Sequence, residues 1–174
     1  MTEKMTPQSI KWVRTFHMLS ACLWGGGALS MVLIHCMFTP HSGGELYARD
    51  VCIKIIDEYV VTSGAFGCLI TGFIFAWKTS WGFFKFKWII TKWAVNIGFI
   101  IFGFLFYMPW LERMSEISGS IKLMALQTPE YLKNQLLNEI SAFMIFGCLL
   151  LLVWISIFKP WGKLRNQEVS RKQS

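Results

Sequence analysis

The stretch ISAFMIFGCLLLLVWISIF, from Ile140 to Phe158, contains no charged side chain. The hydrocarbon core of a bilayer is about 30 Å thick, and about 20 helical residues cross it. Three other apolar segments, at about 12–38, 59–77 and 88–110, have similar lengths. Transmembrane β-strands would be about half as long and would alternate strictly. The sequence therefore predicts an all-α fold, an integral membrane four-helix bundle forming a single domain over residues 1–174.

Basic side chains are distributed unequally between the two sides that the four spans define. Eleven Lys and Arg residues fall on the side that holds both termini and the loop between the second and third spans, and five fall on the other side. Lys and Arg accumulate in cytoplasmic loops. We therefore expect both termini in the cytoplasm, with residues 159–174 as a basic tail, and a multi-pass protein of the bacterial inner membrane.

The net charge of +7 does not indicate nucleic-acid binding. Only 16% of the residues are charged, compared with about 25% in an ordinary soluble domain. The basic residues flank apolar segments, where lipid headgroups lie, and no nucleic-acid-binding motif is visible. The sequence predicts a lipid bilayer as partner and no nucleic acid, and leaves a homo-oligomer or a membrane redox partner open.

Two external segments are amphipathic. From about Gly44 to Glu58 and from about Met114 to Asn138, apolar residues recur between polar ones, the latter at roughly helical spacing. Thr128 followed by Pro129 is typical of a helix start, with threonine at the N-cap and proline at N1. We expect both segments to be helices that lie on the outer membrane surface.

Small residues at four-residue steps predict close contact between the transmembrane helices. In lipid, helices associate by close packing of small side chains and by hydrogen bonds. Such steps occur in two spans, at Ser63, Gly67 and Thr71 and at Ala94 and Gly98.

Ionisable side chains inside apolar spans are costly and tend to be functional. His17 in the first span and Lys92 in the third lie at nearly the same depth, roughly 6–8 Å inside the cytoplasmic boundary at 1.5 Å per residue. Asn96 follows Lys92 by one turn, and Arg14 precedes His17 by three residues. We predict that these four form a polar cluster. The alternatives are a Lys92 that reaches the headgroups and a His17 bonded to a neighbouring helix.

One face of the first span carries residues spaced by 7, 7 and 4 positions, namely His17, Trp24, Met31 and His35. The two histidines are about 27 Å apart along the helix, so one haem cannot join them. The alternative is two separate sites, one at each face of the membrane.

Residue types that bind copper are grouped near the outer boundary, at His35, Cys36, Met37 and His41. Imidazole and soft sulfur donors suit copper. The alternative is an interfacial histidine with chance neighbours, because adjacent helical residues do not point together. The sequence also leaves undecided whether Cys36 and Cys52 form a disulfide.

The segment HMLSACLWGGG, His17 to Gly27, resembles the first-helix motif of a membrane superfamily that includes the copper-resistance CopD family and the HemJ protoporphyrinogen oxidases. WIITK, Trp88 to Lys92, resembles its third-helix motif. The resemblance implies a four-helix fold. HemJ-like members would imply haem b, with His17 as axial ligand and Lys92 beside it, whereas CopD-like members would imply copper passage. The chain is most similar to uncharacterised members.

Three functions follow as hypotheses. The first is a haem-binding membrane redox protein, and whether it is a haem-dependent oxidoreductase is left undecided. In this hypothesis His17 binds the iron, Trp24 lines the porphyrin, and Arg14 or Lys92 lies near the propionates. The second is a copper or small-solute transport component that uses His35. The third is a non-catalytic anchor or assembly subunit that binds partners through its external segments.

Overall fold

The structure is a computed structural model that describes residues 5–78 and 86–159. Every element in these ranges is helical. In chain order the elements are α1 (Pro7–Met37), α2 (Gly43–Ile55), a π-helical segment (Ile56–Val61), α3 (Thr62–Lys78), α4 (Lys87–Phe102), a second π-helical segment (Gly103–Tyr107), α5 (Met108–Ile121), a 3-10 segment (Lys122–Gln127) and α6 (Pro129–Phe158).

The predicted all-α four-helix membrane bundle is confirmed. Four continuous helices are long and apolar enough to cross a bilayer, and they run over Pro7–Met37, Gly43–Lys78, Lys87–Gln127 and Pro129–Phe158. Thr128 and Pro129 occupy the N-cap and N1 positions of α6, as predicted. The Thr128 hydroxyl, however, donates to the Ala125 carbonyl rather than accepting from the new helix.

Contacts between side chains establish that neighbouring helices alternate in direction. His17 meets Thr71 near one end of α1, whereas His35 meets Asn138 near the other. Lys159 lies over the Trp88 ring, 5.8 Å from its centroid. We call the end that holds Pro7, Lys78, Lys87 and Phe158 the terminal end, and the opposite one the far end. Which end faces the cytoplasm stays a prediction. Most of the 159–174 tail and the basic loop residue Lys85 lie outside the described residues.

The two external segments are helical, but they do not lie flat on the membrane. Helix α2 continues into α3, and α4 continues into α5, without a break in the helix. Both extensions therefore project beyond a 20-residue span, and they pack against each other and α6. They bury part of their apolar surface on one another, including Leu46, Ile53 and Met114. A second small core holds them, formed by Leu46, Met114, Ala125 and Tyr131.

A buried ion pair on α2 is bound to a tyrosine of α6. The Arg49 guanidinium donates to the Asp50 carboxylate at 3.1 Å and to the Tyr131 hydroxyl at 2.8 Å. The Tyr131 hydroxyl in turn donates to the other Asp50 oxygen at 2.8 Å. All three side chains are buried. The hydroxyl thus links the ion pair on α2 to α6 and fixes the position of one helix against the other.

Helices α1 and α3 make the closest helix pair in the bundle. A Cβ atom added at Gly64 would lie 2.6 Å from the Trp24 amide nitrogen and 2.8 Å from the Ser20 carbonyl oxygen. The prediction of close packing is confirmed for Gly67 and Thr71, which also contact α1. It is wrong within this chain for Gly98, where no atom lies within 4 Å of an added Cβ.

Candidate functional site

His17 is held by a hydrogen bond to α3. Its Nδ1 atom lies 2.7 Å from the Thr71 hydroxyl oxygen. That hydroxyl also lies 2.5 Å from the Gly67 carbonyl oxygen, to which it donates its one hydrogen. When the hydroxyl gives its one hydrogen to Gly67, His17 Nδ1 is the donor in the first bond. The neutral ring then carries its lone pair on Nε2, the tautomer in which a histidine binds a metal.

The lone pair on Nε2 has no hydrogen-bond partner among the described residues. The His17 ring makes an edge contact with Phe75, at 6.0 Å between ring centroids. Its backbone carbonyl accepts a weak hydrogen bond from the Cys68 thiol at 3.9 Å. His17 is therefore a half-buried imidazole with a fixed orientation and one unused nitrogen.

Lys92 lies near His17, as the comparison of depths predicted. The two side chains are close enough to interact electrostatically, and Lys92 also interacts with the Cys68 thiol. The Lys92 ammonium lies 6.0 Å from the centroid of the Trp88 ring, within the range of a cation–π contact. The terminal end thus holds an imidazole and an ammonium group inside an otherwise apolar bundle.

The other two members of the predicted cluster are placed differently. Asn96 is buried and donates to the Ala65 carbonyl on α3 at 3.4 Å, while its Oδ1 atom is buried without a partner in the described residues. Arg14 is exposed and makes no hydrogen bond or ion pair within residues 5–78 and 86–159. Among the described residues Arg14 is therefore joined to His17, Lys92 and Asn96 by no hydrogen bond or ion pair, and its place in the cluster stays a prediction.

The bundle is open beside His17. Ala21 and Ala28 are seven residues apart, so they lie on nearly the same line along α1. Ala28 is fully buried, yet Ala21 is exposed. On α6, the last buried residue of the described part is Ile145, although the helix continues to Phe158. The helices therefore cover α1 at Ala28 in the far half of the bundle and leave it exposed at Ala21 in the terminal half, and we call this exposed strip of α1 the gap.

Trp24 and the glycines after it divide between the core and the open surface. Trp24 is buried and packs edge to face on Phe99, at 6.1 Å between ring centroids. Gly27 is buried against Val61 of the first π-helical segment. Gly25 and Gly26 have no atom within 4 Å of an added Cβ. The Trp24 indole is thus packed into the core above the gap, and its ring face is not exposed beside His17.

A second group of polar side chains lies toward the far end. His35 Nε2 donates to Asn138 Oδ1 at 2.9 Å, and the Tyr107 hydroxyl donates to the same oxygen at 3.4 Å. The Tyr107 hydroxyl also lies 3.8 Å from the Met31 sulfur. His17 and His35 therefore both point into the bundle from one face of α1, as their spacing predicted. The Asn138 amide nitrogen is buried without a partner in the described residues.

The residues considered for copper do not converge. His35 is turned to α6, whereas Met37 is 79% exposed and the His41 backbone amide donates to Glu45. Across residues 5–78 and 86–159, no group of three His, Cys, Asp or Glu side chains could hold a metal ion. Cys36 and Cys52 are free thiols, like the other three cysteines.

Asp50 and Asp57 are buried polar residues that the sequence interpretation treated as the exposed side of an amphipathic helix. A signal for them existed. Both fall on the line defined by Leu46 and Ile53, since the four positions are spaced by 4, 3 and 4 residues. All four are buried. The helical spacing of these four positions therefore indicates one buried face. Because aspartates are charged, we instead expected Asp50 and Asp57 on the exposed face.

Comparison with known proteins gives no further assignment. No protein-family model matches the chain, and neither a curated protein nor a solved structure matches it significantly. The observations that bear on function are therefore those of the bundle itself.

Proposed function

We propose that this chain is a membrane-embedded haem-binding redox protein, with His17 as an axial ligand of haem b on the cytoplasmic side. The observation that carries the proposal is the His17–Thr71 hydrogen bond through Nδ1, with Nε2 left without a partner among residues 5–78 and 86–159. The likeness of residues 17–27 and 88–92 to CopD and HemJ helices is part of the same proposal.

The residues present fit such a group. A neutral imidazole is a common proximal ligand of haem iron. Metal-binding histidines usually donate their other ring nitrogen to a second group, as His17 does to Thr71. The gap beside Ala21 gives a flat molecule access to this part of α1. Lys92 supplies a positive charge that suits a carboxylate such as a propionate.

Haem iron, when bound, supplies one-electron transfer between its ferric and ferrous states. The residues of the chain do the remaining work. Thr71 keeps the His17 ring in one orientation and one tautomer. Trp24 and Phe99 pack edge to face and form an apolar wall above the gap. Water access and the nearby Lys92 charge both influence the reduction potential of such a site.

Replacing His17 by alanine is expected to abolish the Soret absorbance of the detergent-purified protein after incubation with haemin. Thr71→Val is expected to weaken haem affinity by about 10–100-fold, the usual effect of losing a group that orients a metal ligand. Ala21→Phe should also weaken binding, because the new ring would fill the gap. Absorbance spectra of the oxidised and reduced proteins measure all three.

His41→Ala is the matched control, because His41 is an exposed histidine beyond the end of α1. It should leave the spectrum unchanged. A folded wild-type protein that takes up no haem would refute the proposal, as would a His17→Ala variant with the wild-type spectrum.

A further inference from the structure

Asp57 occupies an unusual position in the bundle. It lies in the first π-helical segment, Ile56–Val61, and only 5% of its surface is exposed. It lines a small cleft of about 30 Å³ together with Tyr107 of the second π-helical segment. π-Helical turns are rare and are frequently found at functional sites. Two of them meet at this cleft.

The carboxyl group of Asp57 is paired with no basic side chain in residues 5–78 and 86–159. Within the described residues it makes no hydrogen bond and no ion pair, and the charged side chain that influences it is another acid, Glu58. The Tyr107 hydroxyl is directed to Met31 and Asn138 instead. A buried carboxyl group in a protein is paired, bound to a cation, or held in its neutral form, and a cation that enters the site favours the ionised form. No basic side chain lines the cleft in the described part of the chain.

The lining of the cleft indicates which kind of cation fits. Its walls are rich in aromatic rings, from Trp24, Phe66, Phe99, Phe104 and Tyr107. Aromatic faces attract organic ammonium groups, and a carboxylate adds a full charge. Metal cations such as Ca²⁺ need six or more oxygen ligands, whereas Asp57, Thr62 and Tyr107 are the side chains with oxygen in this wall. The rings thus favour an ammonium group over a metal ion.

We propose that this cleft binds a small organic ammonium group, with Asp57 as its counter-ion and the surrounding rings as cation–π partners. The volume of about 30 Å³ admits a group of a few heavy atoms, such as a primary ammonium with its first carbon. Phe66 and Phe104 line the cleft and are 36% and 50% exposed, so the cleft opens sideways on the surface of the bundle. Their rings contact each other edge to face at 6.2 Å.

Methylammonium is the probe that tests the site. Saturation-transfer NMR on the detergent-purified full chain should detect its binding, with a dissociation constant on the order of millimolar for so small a ligand. Asp57→Asn keeps the shape of the side chain and removes the charge, and it should weaken binding at least about tenfold. Equal concentrations of sodium should not displace the probe.

A second variant blocks the cleft without touching the carboxylate. Gly103 lines the cleft, and an added Cβ there meets no atom within 4 Å, so Gly103→Val should fold and obstruct the site. Gly98→Val is the matched control, because Gly98 is an equally open glycine that does not line the cleft. It should bind methylammonium like the wild type.

Three results would overturn the proposal. One is a folded wild-type protein with no methylammonium signal. Another is an Asp57→Asn variant that binds the probe as well as the wild type. The third is displacement of the probe by an equal concentration of sodium, which would assign the site to inorganic cations. None of these measurements depends on haem.

Discussion

Replacing Asp50 by alanine is expected to lower the free energy of unfolding by about 3–5 kcal/mol. The substitution leaves the Arg49 guanidinium buried, with the Tyr131 hydroxyl as its remaining partner. Removing one member of a buried ion pair lowers the stability by more than the net free energy that the pair contributes, because the remaining charge stays buried without its counter-charge. The measurement is denaturant unfolding of the purified protein in detergent, followed by circular dichroism.

The chain offers a matched control for this prediction. Lys54 and Glu112 join the two extensions, at 3.4 Å, but their side chains are 34% and 63% exposed. Exposed ion pairs contribute about 0–1 kcal/mol, so Lys54→Ala should change the stability little. Equal losses of stability for Asp50→Ala and Lys54→Ala would contradict the prediction.

Replacing Gly64 by alanine is expected to destabilise the bundle by about 1–3 kcal/mol, and replacement by valine by more. The new Cβ would lie 2.6 Å from the Trp24 amide nitrogen, and a backbone atom cannot move aside as a side chain can. Helix α1 must therefore shift away from α3. Because His17 and Thr71 join the same two helices, haem affinity should fall with stability. Thermal unfolding in detergent and haem titration measure the two effects.

Gly26→Ala is the control for this steric argument. Gly26 lies in the same region of α1, and its added Cβ meets no atom within 4 Å. Alanine forms helix more readily than glycine, so this variant should be as stable as the wild type or slightly more stable. If Gly64→Ala were equally harmless, the close approach of α1 to α3 would be wrong.

Part of the candidate site follows from the sequence and part does not. His17 and Lys92 could be paired because two spans that run in the same direction place residues of equal depth side by side. Arg14 could not be assigned in this way, since depth gives no information on which side of a helix a side chain points. The partner that orients His17, Thr71, was visible in the sequence only as a member of a small-residue stripe.

The sequence by itself determined the four spans, because about 20 apolar residues without charge have no stable place other than a bilayer or a buried core. It also determined that His17, Trp24, Met31 and His35 share a face, because the helical repeat is fixed. Only the tertiary structure decided where the buried charges lie. Asp50 is paired with Arg49 and Tyr131 across two helices, whereas Asp57 faces a cleft between two π-helical segments.

The difference between these two aspartates begins with their neighbours in the chain, because Arg49 lies beside Asp50 whereas Glu58 lies beside Asp57. They occupy the same face of one continuous helix, seven residues apart, and they also differ in what the other helices place opposite them, which is Tyr131 for Asp50 and the cleft for Asp57. The gap beside His17 has the same origin, since Ala21 and Ala28 are identical residues on one line of α1. Periodicity fixes which residues face inward, but the approach of α6 and the positions of the π-helical turns fix whether a partner, a cleft or open space meets them.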